Sequence, residues 1–200
     1  MSKANKSNKA IKYRLYPNDE QKVMFAKTFG CCRFVYNQLL ALQKQRYKDG
    51  ESHLSKLKSN EFATRTLKKD YDFLKEIDKF AVSNAVFHLA DAYDRFFKKQ
   101  NHFPKFKSKR KSKKSYTTNF TNNNILIGKN VIKLPKVGMV KAVIHKLPKD
   151  DWKLKSVTVS QDSVGNYFAS VLFEYEQEDI PSVSKSSTNA IGLDLSLIHI

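Results

Sequence analysis

Residues 9–21, KAIKYRLYPNDEQ, decide how the chain is built. Ile11, Tyr13 and Leu15 alternate with Lys12, Arg14 and Tyr16, so residues 9–16 read as a strand with one apolar and one polar face. Pro17 ends it. Asn18 then stands three residues before Gln21, the spacing of a capping box at a helix start. A helix through Val23, Met24 and Phe25 is expected to run to about Phe29 and stop at Gly30. A second helix is expected from about Cys31 to Tyr47, with Cys32, Val35, Tyr36, Leu39, Leu40 and Gln43 on its inner stripe. Asp49-Gly50 closes it.

Outward from this stretch the texture stays helical and then changes. Residues 51–76 have no clean period, apart from helical stretches near 62–67 and 73–76. Ile77, Phe80, Ala81, Asn84, Ala85, His88, Leu89, Ala92 and Phe96 recur at three- and four-residue spacing and predict a helix over 77–99. Phe103-Pro104 breaks the pattern. Beyond residue 114, alternating segments predict strands at 116–120, 125–127, 131–134, 139–145, 154–160, 167–175 and 190–195. Gly128-Lys129-Asn130 and Gly165-Asn166 mark hairpin turns between them. The class is α+β, with an antiparallel sheet or small barrel. Residues 179–189 read as a polar linker.

The 200 residues hold 37 Lys and Arg against 19 Asp and Glu, a formal charge of +18, and 40% are hydrophobic. That apolar share is enough for a core and excludes a wholly disordered chain. No window approaches the roughly 18 apolar residues of a membrane span, and the basic N-terminus lacks the apolar region of a secretory signal. The two cysteines, Cys31 and Cys32, are adjacent, which suits neither a disulfide framework nor a CxxC metal site. A reducing cytoplasm is the expected location.

The charge is uneven. Residues 1–114 carry 28 basic and 11 acidic side chains, whereas residues 115–200 carry 9 and 8. Between Arg95 and Lys114 there are ten cations and no acid: Arg95, Lys98, Lys99, Lys105, Lys107, Lys109, Arg110, Lys111, Lys113 and Lys114. Phe96, Phe97, Phe103, Phe106 and Tyr116 are interleaved with them. Cations attract phosphates and aromatic faces stack on bases, so this segment predicts nucleic acid as the partner. Arg14, on the polar face of the first strand, joins the same set. If residues 18–48 form a helix-turn-helix, Arg33 and Asn37, with Gln38 and Arg46, would face a DNA groove.

Enzymatic signals are sparse. The five histidines are scattered, and neither GxxxxGK[ST] nor GxGxxG occurs. The sharpest feature is Ala190-Ile191-Gly192-Leu193-Asp194-Leu195, an apolar strand ending near one acid. A buried carboxylate needs a partner or a cation. Nucleases of the RNase H type use such acids, from several elements, to hold two Mg²⁺ ions.

The stretches YRLYPNDEQ, GCCRFVYNQLL, DYDFLKEIDKFAVSNAVFHLADAYDRFFKK, FPKFKSKRKSKKSYTTNF, IKLPKVGMVKAVIHKLP and IGLDLS resemble, in order, the N-terminal half of the TnpB (OrfB) proteins of bacterial insertion sequences. These are relatives of compact CRISPR effectors. The resemblance implies that residues 1–17 and 115–178 form one wedge-like β-barrel. Residues 18–114 would be a helical lobe inserted in it, recognising guide RNA and target DNA, or transposon-end DNA in the older description as a helix-turn-helix transposase. Residues 190–200 would begin a RuvC-like nuclease domain, with Asp194 as its first catalytic carboxylate and Mg²⁺ ligand. The family's later Glu and Asp, and the CxxC pairs of its zinc ribbon, do not occur before Ile200. The expectation is therefore a truncated chain that binds nucleic acid, carries no metal and does not cleave by itself. A stand-alone DNA-binding accessory protein of transposition is the other reading.

Overall fold

The computed structural model of the protein describes residues 6–176. Asp194, the linker at 179–189 and the strand expected at 190–195 lie outside them. Strand β1 (Lys6–Tyr16) leads into helix α1 (Asp19–Lys48), followed by α2 (Lys56–Glu61), α3 (Lys68–Asp70) and α4 (Lys79–Phe97). Strands β2 (Lys114–Asn119), β3 (Leu126–Ile127), β4 (Val131–Leu134), β5 (Gly138–Val143), β6 (Lys153–Gln161) and β7 (Tyr167–Glu176) complete the order. The alternation in 9–16 is realised as read: Ile11, Tyr13 and Leu15 are buried, and Lys12 and Tyr16 are exposed.

All seven strands join one antiparallel sheet in the order β2-β6-β7-β1-β5-β4-β3. β1 therefore lies at the centre, between β7 and β5, with Tyr13 opposite Ala169 and Leu15 opposite Ala142. The sheet is open, which corrects the expected barrel. Its edges, β2 and β3, each pair with one neighbour among the described residues. β3 contributes only two residues, too few to reach round and close the sheet. The β2 edge is protected instead by α4, whose Asn84 amide donates to Thr117 O at 2.9 Å and to Asn119 Oδ1 at 3.2 Å.

The second correction is at Gly30. The expected break is absent, and Asp19 to Lys48 form a single helix of 30 residues. The capping box is present in both directions: Asn18 Oδ1 accepts from Gln21 N at 2.8 Å and Gln21 Oε1 accepts from Asn18 N at 3.1 Å. The reason the helix survives Gly30 is burial on both sides of it. Phe25, Phe29, Cys32, Val35, Tyr36, Leu39 and Leu40 are all buried along one stripe. Gly within a helix costs only about 1 kcal/mol relative to Ala, less than burying one large apolar side chain contributes.

The N-terminal half of α1 lies on the sheet, with the Phe25 ring 5.4 Å from Tyr167 and 6.3 Å from Tyr116. From Cys32 onward α1 packs on α4, the Cys32 thiol donating to Ala81 O at 3.4 Å. α4 starts at Asp78, a buried N-cap whose Oδ2 accepts from Ala81 N at 3.3 Å and from Thr118 Oγ1 at 2.7 Å. One carboxylate thus caps the helix and ties it to β2. The aperiodic stretch after α1 resolves into short turns: α2, wider π-type turns over Phe62–Leu67, α3, and a 3₁₀ turn over Asp72–Lys75.

Candidate nucleic-acid interface

The basic segment begins where α4 ends. Lys98 N and Lys99 N donate to Asp94 O and Phe96 O, and Gln100 N returns to Arg95 O at 2.8 Å, closing the helix end. Lys99 takes a left-handed conformation with φ of 56° to make that turn. A loop then runs to β2. At its tip the serines act in place of regular structure. Ser108 Oγ accepts from Lys111 N at 3.0 Å, and Ser112 Oγ accepts from Ser108 N at 2.9 Å. This local closure holds Lys109, Arg110 and Lys111 outward, and all three are exposed.

Of the residues expected to meet phosphates, Arg95, Lys98, Lys99, Lys105, Lys109, Arg110, Lys111, Lys113 and Lys114 are exposed. They lie along one continuous piece of chain. Lys114 Nζ also donates to Gln161 Oε1 at 3.0 Å across the β2–β6 pair. The other four are placed differently. Arg14 lies on the outer sheet face, where it bonds to Asn166 and rests 5.0 Å from the Phe168 ring centre. Arg33 is half-buried beside a cavity of about 40 Å³ beneath the loop, which His88 and Tyr116 also line.

Asn37 and Lys107 hold each other. The Asn37 amide donates to Lys107 O at 2.9 Å and accepts from Lys107 N at 2.8 Å. The Lys107 side chain turns inward, with Nζ 4.0 Å from the Tyr36 ring centre, and burial lowers its pKa. These two residues anchor the loop to α1. Of the other two polar residues expected to face a groove, Arg46 donates to Ser52 O and pairs with Glu51.

Sequence reading missed two features. Lys12 lies 4.2 Å from the Phe168 ring centre, so with Arg14 it brackets Phe168 on the outer sheet face. The alternation of residues 167–175 placed Phe168 opposite the core, and an aromatic there was the available signal. The other is Lys44, whose Nζ is 5.4 Å from the Phe103 ring centre and 4.7 Å from that of Phe106. Among the described residues, no group of three or more His, Cys, Asp or Glu is placed to hold a metal ion. No described helix is long and apolar enough to cross a membrane.

A family model described as a helix-turn-helix domain, of the OrfB type, matches residues 7–52. In this chain those residues take in β1 from Ser7 onward, all of α1 and the turn that follows it. A protein of Streptomyces pristinaespiralis named "Putative RNA-guided DNA endonuclease" is 30% identical over 191 residues, covering 94% of this chain and 46% of its own length. The chain belongs to the TnpB/OrfB family. A second relative, "Putative RNA-guided DNA endonuclease InsQ" of Escherichia coli (strain K12), is 29% identical, over 92% of this chain and 44% of its own length. A "Virulence protein VsdF" of Salmonella dublin is 32% identical over half of this chain and 93% of its own length. The chain thus spans somewhat under half the length of the two endonuclease-named relatives.

Proposed function

We propose that this chain is the nucleic-acid-binding portion of an RNA-guided DNA endonuclease encoded by a transposable element. In this reading the sheet acts as the wedge domain, and the helices with the 98–114 loop hold guide RNA and its target DNA. The carrying observation is the run of exposed cations from Arg95 to Lys114, fixed on the folded body by the Asn37–Lys107 bonds. A cationic surface that follows one stretch of backbone suits recognition of an RNA–DNA duplex by its shape and phosphates. The two relatives named as such endonucleases align with nearly all of this chain.

Cutting would fall to carboxylates holding Mg²⁺, of which Asp194 is the one this sequence supplies by resemblance. We assign the described residues a nucleic-acid-binding role. Residues 1–200 alone are proposed to bind without cleaving.

The test is purification of the chain through a moderate-salt wash, followed by sequencing of bound nucleic acid. A discrete structured RNA is expected. Recovery of specific duplex DNA would favour the accessory DNA-binding reading instead. Converting Lys109, Arg110, Lys111 and Lys113 to Gln should then lower the slope of log affinity against log salt by about 3, since each neutralised phosphate contributes about 0.7–0.9 to it. An unchanged slope would show that this loop is not the footprint.

A further inference from the structure

Beyond the cationic loop, a groove of about 580 Å³ opens between the C-terminal ends of α1 and α4. Every apolar side chain lining it is aromatic, with none aliphatic: Tyr47, Tyr93, Phe96, Phe97 and Phe103, joined by the imidazole of His53. Tyr47 is 85% exposed and Phe97 64%. The rings are ordered against one another. Phe103 meets Tyr93 and Phe96 edge-on at 5.6 and 5.2 Å, and His53 stands at 90° to Phe97. Burial lowers the pKa of His53, which keeps its ring neutral at pH 7. Lys44 and Lys48 line the groove, and the one acid there, Glu51, is paired with Arg46. Arg95, Lys98 and Lys99 are exposed on the helix end that carries Phe97.

We propose that this groove holds an unpaired base of a folded RNA, stacked on Phe97 and Tyr47, with the flanking phosphates on Lys44, Lys48 and Lys98. Aromatic faces backed by cations are what single-stranded nucleic acid uses, because every base has a π-face and every linkage a charge. A second copy of the chain is a poorer occupant, since each copy carries +18, and a docked apolar helix would call for aliphatic lining. RNA is chosen over DNA because loops and bulges leave RNA bases unpaired, whereas duplex DNA presents its bases stacked. This proposal rests on the nucleic-acid reading above and adds a subsite to it.

The test uses an RNA hairpin with one bulged 2-aminopurine, the same hairpin with that base paired, and an unstructured single-stranded DNA carrying 2-aminopurine between the same two neighbouring bases. The expected result is quenching of the bulged 2-aminopurine by the wild-type chain. Phe97→Ala and Tyr47→Ala should each weaken the bulged hairpin by about tenfold, leave the paired hairpin unchanged and abolish the quenching. Phe97→Trp should restore both. Both side chains are largely exposed, so the core is untouched, and circular dichroism checks this. Equal loss on both hairpins, or no loss, overturns the groove while leaving the cationic loop standing. Equal quenching of the DNA overturns the choice of RNA. A dimer in sedimentation that Phe97→Ala dissolves would make the groove a self-association surface, overturning the proposal. If the wild-type chain binds neither hairpin nor any DNA, the nucleic-acid reading itself falls.

Discussion

The side-chain amide of Asn37, in the middle of α1, makes two hydrogen bonds to the backbone of Lys107, at 2.9 and 2.8 Å. An amide is the one side-chain group of this size that can donate to a carbonyl and accept from the same residue's N–H. The basic loop is thereby fastened at one point between Pro104, which is buried, and the serine-closed tip.

Asn37→Asp keeps the acceptor and loses the donor, leaving Lys107 O facing a carboxylate. Asn37→Ala loses both bonds. Each substitution should destabilise the chain by about 1–3 kcal/mol in urea unfolding, as expected for part-buried bonds with groups left unsatisfied. Trypsin should also cut faster at Lys109 and Arg110. Unchanged cleavage would mean that the tip is held by its own serines alone.

Gly30 gives a prediction whose sign distinguishes two structures. In the continuous helix, a Cβ at this position would meet nothing closer than the Arg33 guanidinium at 4.0 Å, and the backbone does not take a positive φ. Gly30→Ala should therefore stabilise the protein by about 0.5–1 kcal/mol in thermal or urea unfolding. Destabilisation would restore a turn between two helices at this point.

The two cysteines should be inert. Both are free and buried, and burial lifts the Cys32 thiol from 9.0 to about 12 while also raising Cys31. A thiol reagent at pH 8 should label neither until denaturant is added. The same shift makes a statement about alkali. A thiol with a higher pKa in the folded than in the unfolded chain favours folding below about pH 9, and this contribution fades as pH climbs toward 12. Tyr93, raised by burial to about 12, acts in the same direction at somewhat higher pH. Lys107 opposes them, because its lowered pKa makes the charged form the costly one and that cost relaxes with rising pH. The sum should be loss of stability above pH 9, and Cys32→Ala should flatten the curve. A curve unaffected by that substitution would assign the alkaline loss to the tyrosines.

Local patterns in the sequence carried much of this fold, and the misses were long-range. The period of two placed Ile11, Tyr13 and Leu15 inward, and the period of 3.6 placed α4 and the buried stripe of α1, because each depends on neighbours within a few residues. Gly30 misleads because a glycine's local cost is small beside tertiary burial, which a window cannot see. The open sheet escapes a sequence reading because closure depends on whether two edges meet, and β3 is too short to supply one. The interface divided the same way. Exposed cations at 109–111 follow from composition, whereas the partners of Asn37 and Lys44 lie some 60–70 residues away. The groove between α1 and α4 draws on both helix ends and the loop, so no single segment announced it.

The central place of β1 in the sheet has a consequence for synthesis. β1 lies between β5 and β7, and its longest pairing, Lys6 to Leu15 against Tyr167 to Glu176, joins the start of the described chain to its end. On the ribosome, β1 must wait for some 150 further residues, roughly 8–30 s at about 5–20 residues per second. During that interval its apolar face and both hydrogen-bonding edges are open, while α1 and α4 can already form through local hydrogen bonds. The first of the described strands is thus among the last of them to be covered, and the lysines at positions 6, 9 and 12 put charge on that waiting edge, where an uncharged strand would recruit another chain.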